Sequence, residues 1–325
     1  MKFKCYTQTL MDAVNNVQRA VSGKSAVPAL EGALLRANGS SLFLAGYDME
    51  IGITTTIEAQ VDEPGEIVLN ARQFSDIVRK LPDEEVMLSA DEKLNVQIIS
   101  GSAAFTIMGI SAADYPELPS VDDGVGLSLP QTVLKSMIRQ TLFAVAQMDA
   151  GRPVHTGTLF EVEQEMLRLV SVDGSRLAMR SEPIKASEPM KFVVPGKTLS
   201  EVLKLLQDEE NPVFIAVGRR HIVLQIDGYA VISRLLDGEF LAYQKAIPQT
   251  VGTTIRVKTR EMMDAVERVS LVINDRMKSP LICRFCDGRI QFSCTTPLGS
   301  ANDSIPCEMQ GTDEEIGFNS RFLLD

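Results

Sequence analysis

Few side chains in this sequence have a type and spacing that could do chemistry, and the ones that recur are basic. Arg72 and Arg79 lie seven residues apart, Lys197 and Lys204 repeat that spacing 125 positions later, and Arg321 opens the pattern a third time. Seven residues is nearly two helical turns, so on a helix each pair shares a face. Lysines and arginines spaced along a surface grip a phosphate backbone without reading its sequence. With Lys24 and Arg139, the set Lys24, Arg72, Arg79, Arg139, Lys197, Lys204 and Arg321 could line one concave helical wall. The absence of Trp and the 6% aromatic content argue against single-strand stacking as the main mode and for a duplex. A plainer reading of the same residues is that Arg72 with Asp76, Lys197 with Glu201 and Arg321 with Asp325 are i,i+4 pairs on solvated faces, worth about 0.2–0.5 kcal/mol each.

Groups for catalysis do not assemble. The two histidines, His155 and His221, stand in no HExxH, nucleophile elbow or metal spacing, and no Walker loop or GxGxxG follows a strand. Cys283 and Cys286 form a CxxC, but a zinc ribbon needs a second pair, and Cys294 and Cys307 form none. Residues three apart on a strand point to opposite faces, which favours structural cysteines. Asp122 with Asp123, and Asp48 with Glu50, sit beside glycines and read as solvated turns rather than metal ligands. The expectation is no catalytic residue, no metal and no cofactor.

The elements that position the basic residues repeat as well. IVLNARQFSDIVRKLPDEE, from Ile67, reads as a strand running into an amphipathic helix, and FVVPGKTLSEVLKLLQDEE, from Phe192, reads the same. Phe74, Ile77, Val78 and Leu81 fall on one helical face, as do Leu199, Val202, Leu203 and Leu206. GFNSRFLLD is a third start, with Leu323 in the Phe74 slot. Upstream, TQTLMDAVNNVQRAV predicts a helix with Thr9 as N-cap and Leu10, Val14, Val17 and Val21 on one face. A hairpin through Asn38-Gly39 follows. Its counterpart places Gly157, Leu167, Leu169 and Asp173 opposite Gly32, Leu42, Leu44 and Asp48, each 125 positions on. PQTVLKSMIRQTLFAVAQ predicts the helix before it, with Leu134, Ile138 and Val145 on its face. TREMMDAVERVSLV and a hairpin at Asp287-Gly288 open the third set. The fold class is therefore α+β, three tandem repeats of helices and antiparallel strands at 1–121, 128–248 and 252–325, joined by polar linkers near 120–130 and 248–254.

Composition bounds the rest. The 325 residues are 45% hydrophobic, enough for substantial cores, and no apolar run approaches the roughly 18 residues of a membrane span. The start lacks a signal peptide's apolar core. Five cysteines, an odd number, fit a reducing compartment, so a soluble cytoplasmic protein is expected. Lys+Arg of 32 against Asp+Glu of 43 gives a net charge of −11, which is compatible with a polyanion only if a positive lining is segregated from a negative exterior.

With the repeats, SAADYPELP, VSVDGSRLA, LDGEFLAY and EIGFN make the chain resemble, from Met1 to Asp325, the bacterial DNA polymerase III beta subunits, the ring-shaped sliding clamps. The resemblance implies helices on the inner face of a ring and antiparallel sheets on its outer face, a head-to-tail homodimer around duplex DNA, and no chemistry of its own. It implies loading by an ATP-driven clamp loader and tethering of the replicative DNA polymerase through short linear motifs. Repair polymerases, mismatch repair proteins and ligase are further partners of this kind, and no membrane is involved. The partner-peptide pocket it implies uses Arg152, His155, Val172, Ser175, Arg176 and Leu177 with Leu241, Lys245 and Ala246. Leu241 stands where a proline is common, Ala242 where an acid is frequent and His155 where an apolar residue is usual. The implied dimer interface sets Phe105 and Ile107 against Leu271 and Val272. A third repeat as long as the second would extend beyond Asp325, so the third domain reads as incomplete. The alternative function is a monomeric protein-binding adaptor that keeps the pocket without closing a ring.

Overall fold

The computed structural model describes residues 1–121, 125–147, 151–186, 188–273 and 279–325; Asp122 and Asp123 lie outside them. The first repeat runs β1 (Lys2–Tyr6), α1 (Thr7–Val17), β2 (Gly32–Asn38), β3 (Ser41–Tyr47), β4 (Ile51–Glu58), β5 (Gln60–Glu63), β6 (Gly65–Asn70), α2 (Ala71–Val78), β7 (Glu85–Ala90), β8 (Asn95–Ser100) and β9 (Ala103–Met108). The second runs β10 (Val125–Pro130), α3 (Gln131–Arg139), β11 (Gly157–Glu163), β12 (Met166–Val172), β13 (Leu177–Pro183), β14 (Met190–Pro195), α4 (Gly196–Leu205), β15 (Pro212–Val217), β16 (His221–Ile226) and β17 (Tyr229–Arg234). The third holds β18 (Thr254–Arg256), α5 (Thr259–Ser270), β19 (Leu281–Cys286), β20 (Arg289–Thr296), β21 (Gly299–Pro306), β22 (Glu308–Gln310), β23 (Glu314–Phe318) and α6 (Ser320–Leu324).

Every strand pairing is antiparallel, and in each repeat the two helices pack on each other: α1 on α2, α3 on α4 and α5 on α6. The apolar periodicity explains why. Leu10, Val14 and Val17 of α1, Phe74 and Val78 of α2, and Leu199 and Val202 of α4 are all buried against the sheets. The 125-residue correspondence holds at individual contacts. Gly32 pairs with Asn70 and Gly157 with Pro195, and at both glycines a Cβ would collide with the neighbouring strand, 2.8 Å from the Leu69 oxygen and 2.5 Å from the Val194 oxygen.

The three repeats form two compact units, Met1–Phe240 and Leu241–Asp325. The first two repeats share a unit because β17 pairs with β4, Val231 opposite Ile53, making one eight-stranded sheet in the order β10-β15-β16-β17-β4-β3-β2-β6. The remaining strands of this unit form sheets ordered β5-β1-β7-β8-β9 and β13-β12-β11-β14. In the second unit the sheet order is β21-β20-β19-β23, with β18 paired to β22, over a core that includes Ala265, Val266, Phe285 and Phe292.

Several local expectations shift. Thr9 is not the cap of α1: the helix begins at Thr7 after Tyr6, and the Thr7 amide donates to the Glu84 carbonyl 2.8 Å away. Val21 and Leu81 lie past the ends of their helices. The long helix expected through Val145 stops at Arg139, because the buried Thr141 hydroxyl turns back onto the Met137 carbonyl at 2.9 Å and a short 3-10 turn, Leu142–Ala144, follows. In the first hairpin the two-residue turn is Gly39-Ser40 between the paired Asn38 and Ser41, with Gly39 at φ +59°, one position later than expected. Asp287-Gly288 is the turn foreseen, both residues at positive φ.

Candidate functional site

The basic residues chosen by spacing do not behave alike. Arg72 and Arg79 part company: Arg79 caps the end of α2 and donates to Asn15 Oδ1 of α1 at 3.4 Å and to Ser75 Oγ at 3.2 Å, with Asp76 4.0 Å away. Arg72 instead lines a groove of about 660 Å3 with Ile77, Lys80, Phe105 and Ile107. The shared face expected from the seven-residue spacing therefore splits at the helix end, where a long side chain can turn either way. Lys204 is held by Glu201 at 2.7 Å. Lys197 reaches Asp48 of the first repeat at 2.5 Å rather than Glu201, and Arg72 is not paired with Asp76, so neither of these two i,i+4 pairs forms. Arg321 lies exposed on α6. Lys24 and Arg139 are exposed, and their side chains make no hydrogen bond or ion pair among the described residues.

Asp48 is no solvated turn residue. Its carboxylate, 11% exposed, accepts the Glu50 and Ile51 amides at 3.0 and 2.8 Å besides holding Lys197. Asp173 repeats the turn, accepting the Ser175 and Arg176 amides at 2.9 and 3.0 Å. The side chain that reaches Asp173 is its own neighbour, Arg176 Nε at 2.9 Å. An Asp three or four residues before a strand is the signal that marks both turns.

Arg176 is the centre of the residues implied for a peptide pocket. Besides Asp173, its guanidinium donates to the Phe143 carbonyl at 2.7 Å and lies over the Phe143 ring, 5.0 Å from the centroid. Val172 and Leu177 face each other across the turn that carries Ser175 and Arg176. Arg152 and His155 sit on a separate 3-10 turn, Pro153–Thr156, tied to the Leu142–Ala144 side by the Ala146 amide donating to the His155 carbonyl at 2.8 Å. Phe143 and Met179, both exposed, add apolar surface that repeat-matching missed; Phe143 lies 33 residues before Arg176, so no local sequence signal joins the two. Leu241, Lys245 and Ala246 belong to the second unit and are exposed there.

His155 occupies the place of Leu30 in the first repeat and packs edge-on to Phe240, ring centroids 5.4 Å apart, as Leu30 shares a small core with Tyr115. Burial, with the Arg152 charge adding to it, holds the His155 pKa below its ordinary value; burial and then Arg234 and Arg220 do the same for His221. A lowered folded-state pKa means that the unfolded chain takes up protons first. Stability of the first unit is thus full above the unfolded histidine value near 6.5 and falls as pH drops through it. Urea unfolding between pH 7.5 and 5.5 should show this decline, and His155→Leu, which restores the residue of the first repeat, should flatten it.

The dimer candidates separate by unit. Phe105 and Ile107 alternate on β9, the edge strand of its sheet, half-buried. Leu271, just past α5, is 84% exposed, and Val272 packs against the core of the second unit. Cys283 and Cys286 share β19 and are buried, as are Cys5 and Cys294; burial pushes the Cys283 thiol up to about 11 and Cys5 to about 12, so both are protonated and inert near neutrality. No group of three metal-ligating side chains occurs among the described residues, and none of their helices is long and apolar enough to cross a membrane.

Comparison with known proteins covers the whole chain. Residues 1–119, 128–241 and 244–325 match the N-terminal, central and C-terminal domains of the DNA polymerase III beta subunit. The beta sliding clamp of Bacillus subtilis is 32% identical, over 100% of this chain and 89% of that protein, and that of Halalkalibacterium halodurans is 31% identical over the same shares. The crystal structure of the Bacillus subtilis DNA polymerase sliding clamp superposes with a TM-score of 0.96 at 31% identity, covering 100% of this chain and 88% of that one.

Proposed function

Since the chain belongs to the family of DNA polymerase III beta subunits, the bacterial sliding clamps, we propose that it encircles duplex DNA as a ring-shaped homodimer and holds the replicative polymerase on it. It is a non-catalytic processivity factor and not an enzyme. The observation that carries this reading is the threefold recurrence of a helix pair over antiparallel sheet, matched end to end by the three clamp domains. Domains at 1–121, 128–248 and 252–325, and a cytoplasmic location, go with it.

Duplex DNA would be held through phosphates and without sequence preference, by weak contacts that salt screens. The pairing of the basic residues ranks them. Lys24 and Arg139 are free to meet a phosphate, whereas Lys204 and Lys197 first have to leave Glu201 and Asp48. Lys24→Ala and Arg139→Ala should each lower the slope of log K against log salt for duplex binding by about 1. Lys204→Ala should lower it less, and an equal loss at all three positions would show that the Glu201 pair does not matter.

Partner peptides, from polymerase, clamp loader and repair proteins, would lay apolar side chains beside Val172, Leu177, Phe143 and Met179 with Arg176 at the rim. Arg152 and His155 would extend that pocket. The seam of the dimer would set Phe105 and Ile107 against Leu271 and Val272 of a second copy. Sedimentation of the chain, and its retention on nicked circular DNA after loading, tests the ring. A strictly monomeric species never retained on circles would leave the monomeric adaptor as the function.

A further inference from the structure

The Asp48 turn of the first repeat borders a cavity of about 890 Å3 inside the Met1–Phe240 unit. Glu50 and Ile51 come from that turn, and the start of α4, the end of β17 and both 3-10 turns of the second repeat close it. None of Val172, Ser175, Arg176 and Leu177 lines it, so it is separate from the pocket at the Asp173 turn. Ile51, Leu142, Val145, Leu235 and Leu236 form its apolar wall. Gly196, the first residue of α4, keeps it open: a Cβ there would stand 3.2 Å from Val145 Cγ2 and 3.5 Å from Leu142 Cδ1. The first repeat has Ala71 in that slot.

Among the described residues four charged side chains line the cavity, and both signs are present. Lys197 is held by Asp48. Glu50, Arg234 and Asp237 are exposed, and their side chains make no hydrogen bond or ion pair among the described residues. Arg234 and Glu50 start from one point, the Arg234 amide donating to the Glu50 carbonyl at 2.9 Å, while Asp237 lies past the end of β17. A phosphate would meet two free carboxylates with one free guanidinium, which disfavours a strongly anionic ligand. An apolar wall under free charges of both signs suits a ligand that is itself apolar on one side and carries both signs on the other. An extended peptide has this form, because side chains at i and i+2 share one face and those between them turn to the other.

We propose that this cavity is a second peptide site. It takes an extended segment whose alternate apolar side chains lie on Leu142, Val145 and Leu236, with an acidic side chain between them meeting Arg234 and a basic one meeting Asp237. The ligand class rests on the pocket proposed at the Asp173 turn, of which the Asp48 turn is the copy 125 positions upstream.

The probe is the peptide acetyl-Leu-Glu-Leu-Lys-amide, titrated calorimetrically into the full chain. Wild type should bind two peptides. Arg234→Glu and Asp237→Lys should each weaken one of the two sites roughly 10-fold or more, and Met179→Glu should weaken the other. All three positions are exposed, so circular dichroism of each variant should match the wild type. Loss of a site with Met179→Glu, and none with Arg234→Glu or Asp237→Lys, overturns the inference and leaves the Asp173 pocket standing. The reverse pattern upholds the cavity and removes the Asp173 pocket. A wild-type chain that takes up no peptide, or takes it up unaffected by all three substitutions, overturns both.

Discussion

Leu271→Lys is expected to turn the dimer into monomers and to abolish retention on circular DNA without loss of folding. Leu271 is 84% exposed within its own unit, so its removal takes nothing from that core, which is built from Ala265, Val266, Val269 and the inner faces of β19, β20 and β21. In the proposed seam it is the side chain that fills the strip along β9. An ammonium there would face Phe105 and Ile107 and the like charge of Arg72, with no acid within the groove except Asp76. Burying an unpaired charge in an apolar seat costs about 3 kcal/mol or more, which is over 100-fold in a dissociation constant. Sedimentation equilibrium and retention on nicked circles are the readouts. A Leu271→Lys chain that still dimerises at wild-type concentrations would place the seam elsewhere.

Gly46→Ala is expected to be the most damaging small substitution in the first unit. A Cβ at Gly46 would stand 2.0 Å from the Val17 carbonyl oxygen and 2.9 Å from its carbon, where α1 ends against β3. Neither atom belongs to a flexible side chain, so the helix end must move. Overpacking of backbone against backbone costs about 2–4 kcal/mol. The equivalent residue of the second repeat is Ser171, whose hydroxyl bonds to Thr158 Oγ1 at 2.9 Å in a fully buried site. The same slot is therefore closed in one repeat and filled in the other. Urea unfolding followed by circular dichroism should show a lower midpoint for Gly46→Ala, and a midpoint equal to wild type would mean that α1 can shift at no cost. Ser171→Gly should destabilise less, by about 1 kcal/mol, through loss of one buried hydrogen bond and its packing.

Much of the fold was legible because burial is periodic. The helix faces of Phe74 and Leu199 and the paired positions of Gly32 and Gly157 recur at a fixed offset, and a repeated pattern of apolar faces has to be met by a repeated core. Element ends were less legible. Whether α3 continues to Val145 depends on one hydroxyl, that of Thr141, bonding backward, and whether α1 starts at Thr7 or Thr9 depends on a carbonyl at Glu84. Periodicity cannot see either bond.

The candidate site divides along the same line. By itself the sequence determined that the chain is a threefold α+β repeat, that its recurrent polar chemistry is basic and not catalytic, and that it resembles the sliding clamps. The first two are properties of composition and spacing, which each stretch of chain carries alone; the resemblance rests on the repeats with SAADYPELP, VSVDGSRLA, LDGEFLAY and EIGFN. Which basic residues are free, and which way they face, was decided by the tertiary structure. Arg72 and Arg79 share a helix and a spacing, yet one turns to Asn15 and the other to the groove of Phe105. Lys197 finds its acid 149 residues away at Asp48, not four residues on at Glu201. A charge takes the partner that folding brings nearest, and nearness between distant segments is set by how sheets join and helices pack, which no spacing along the chain records.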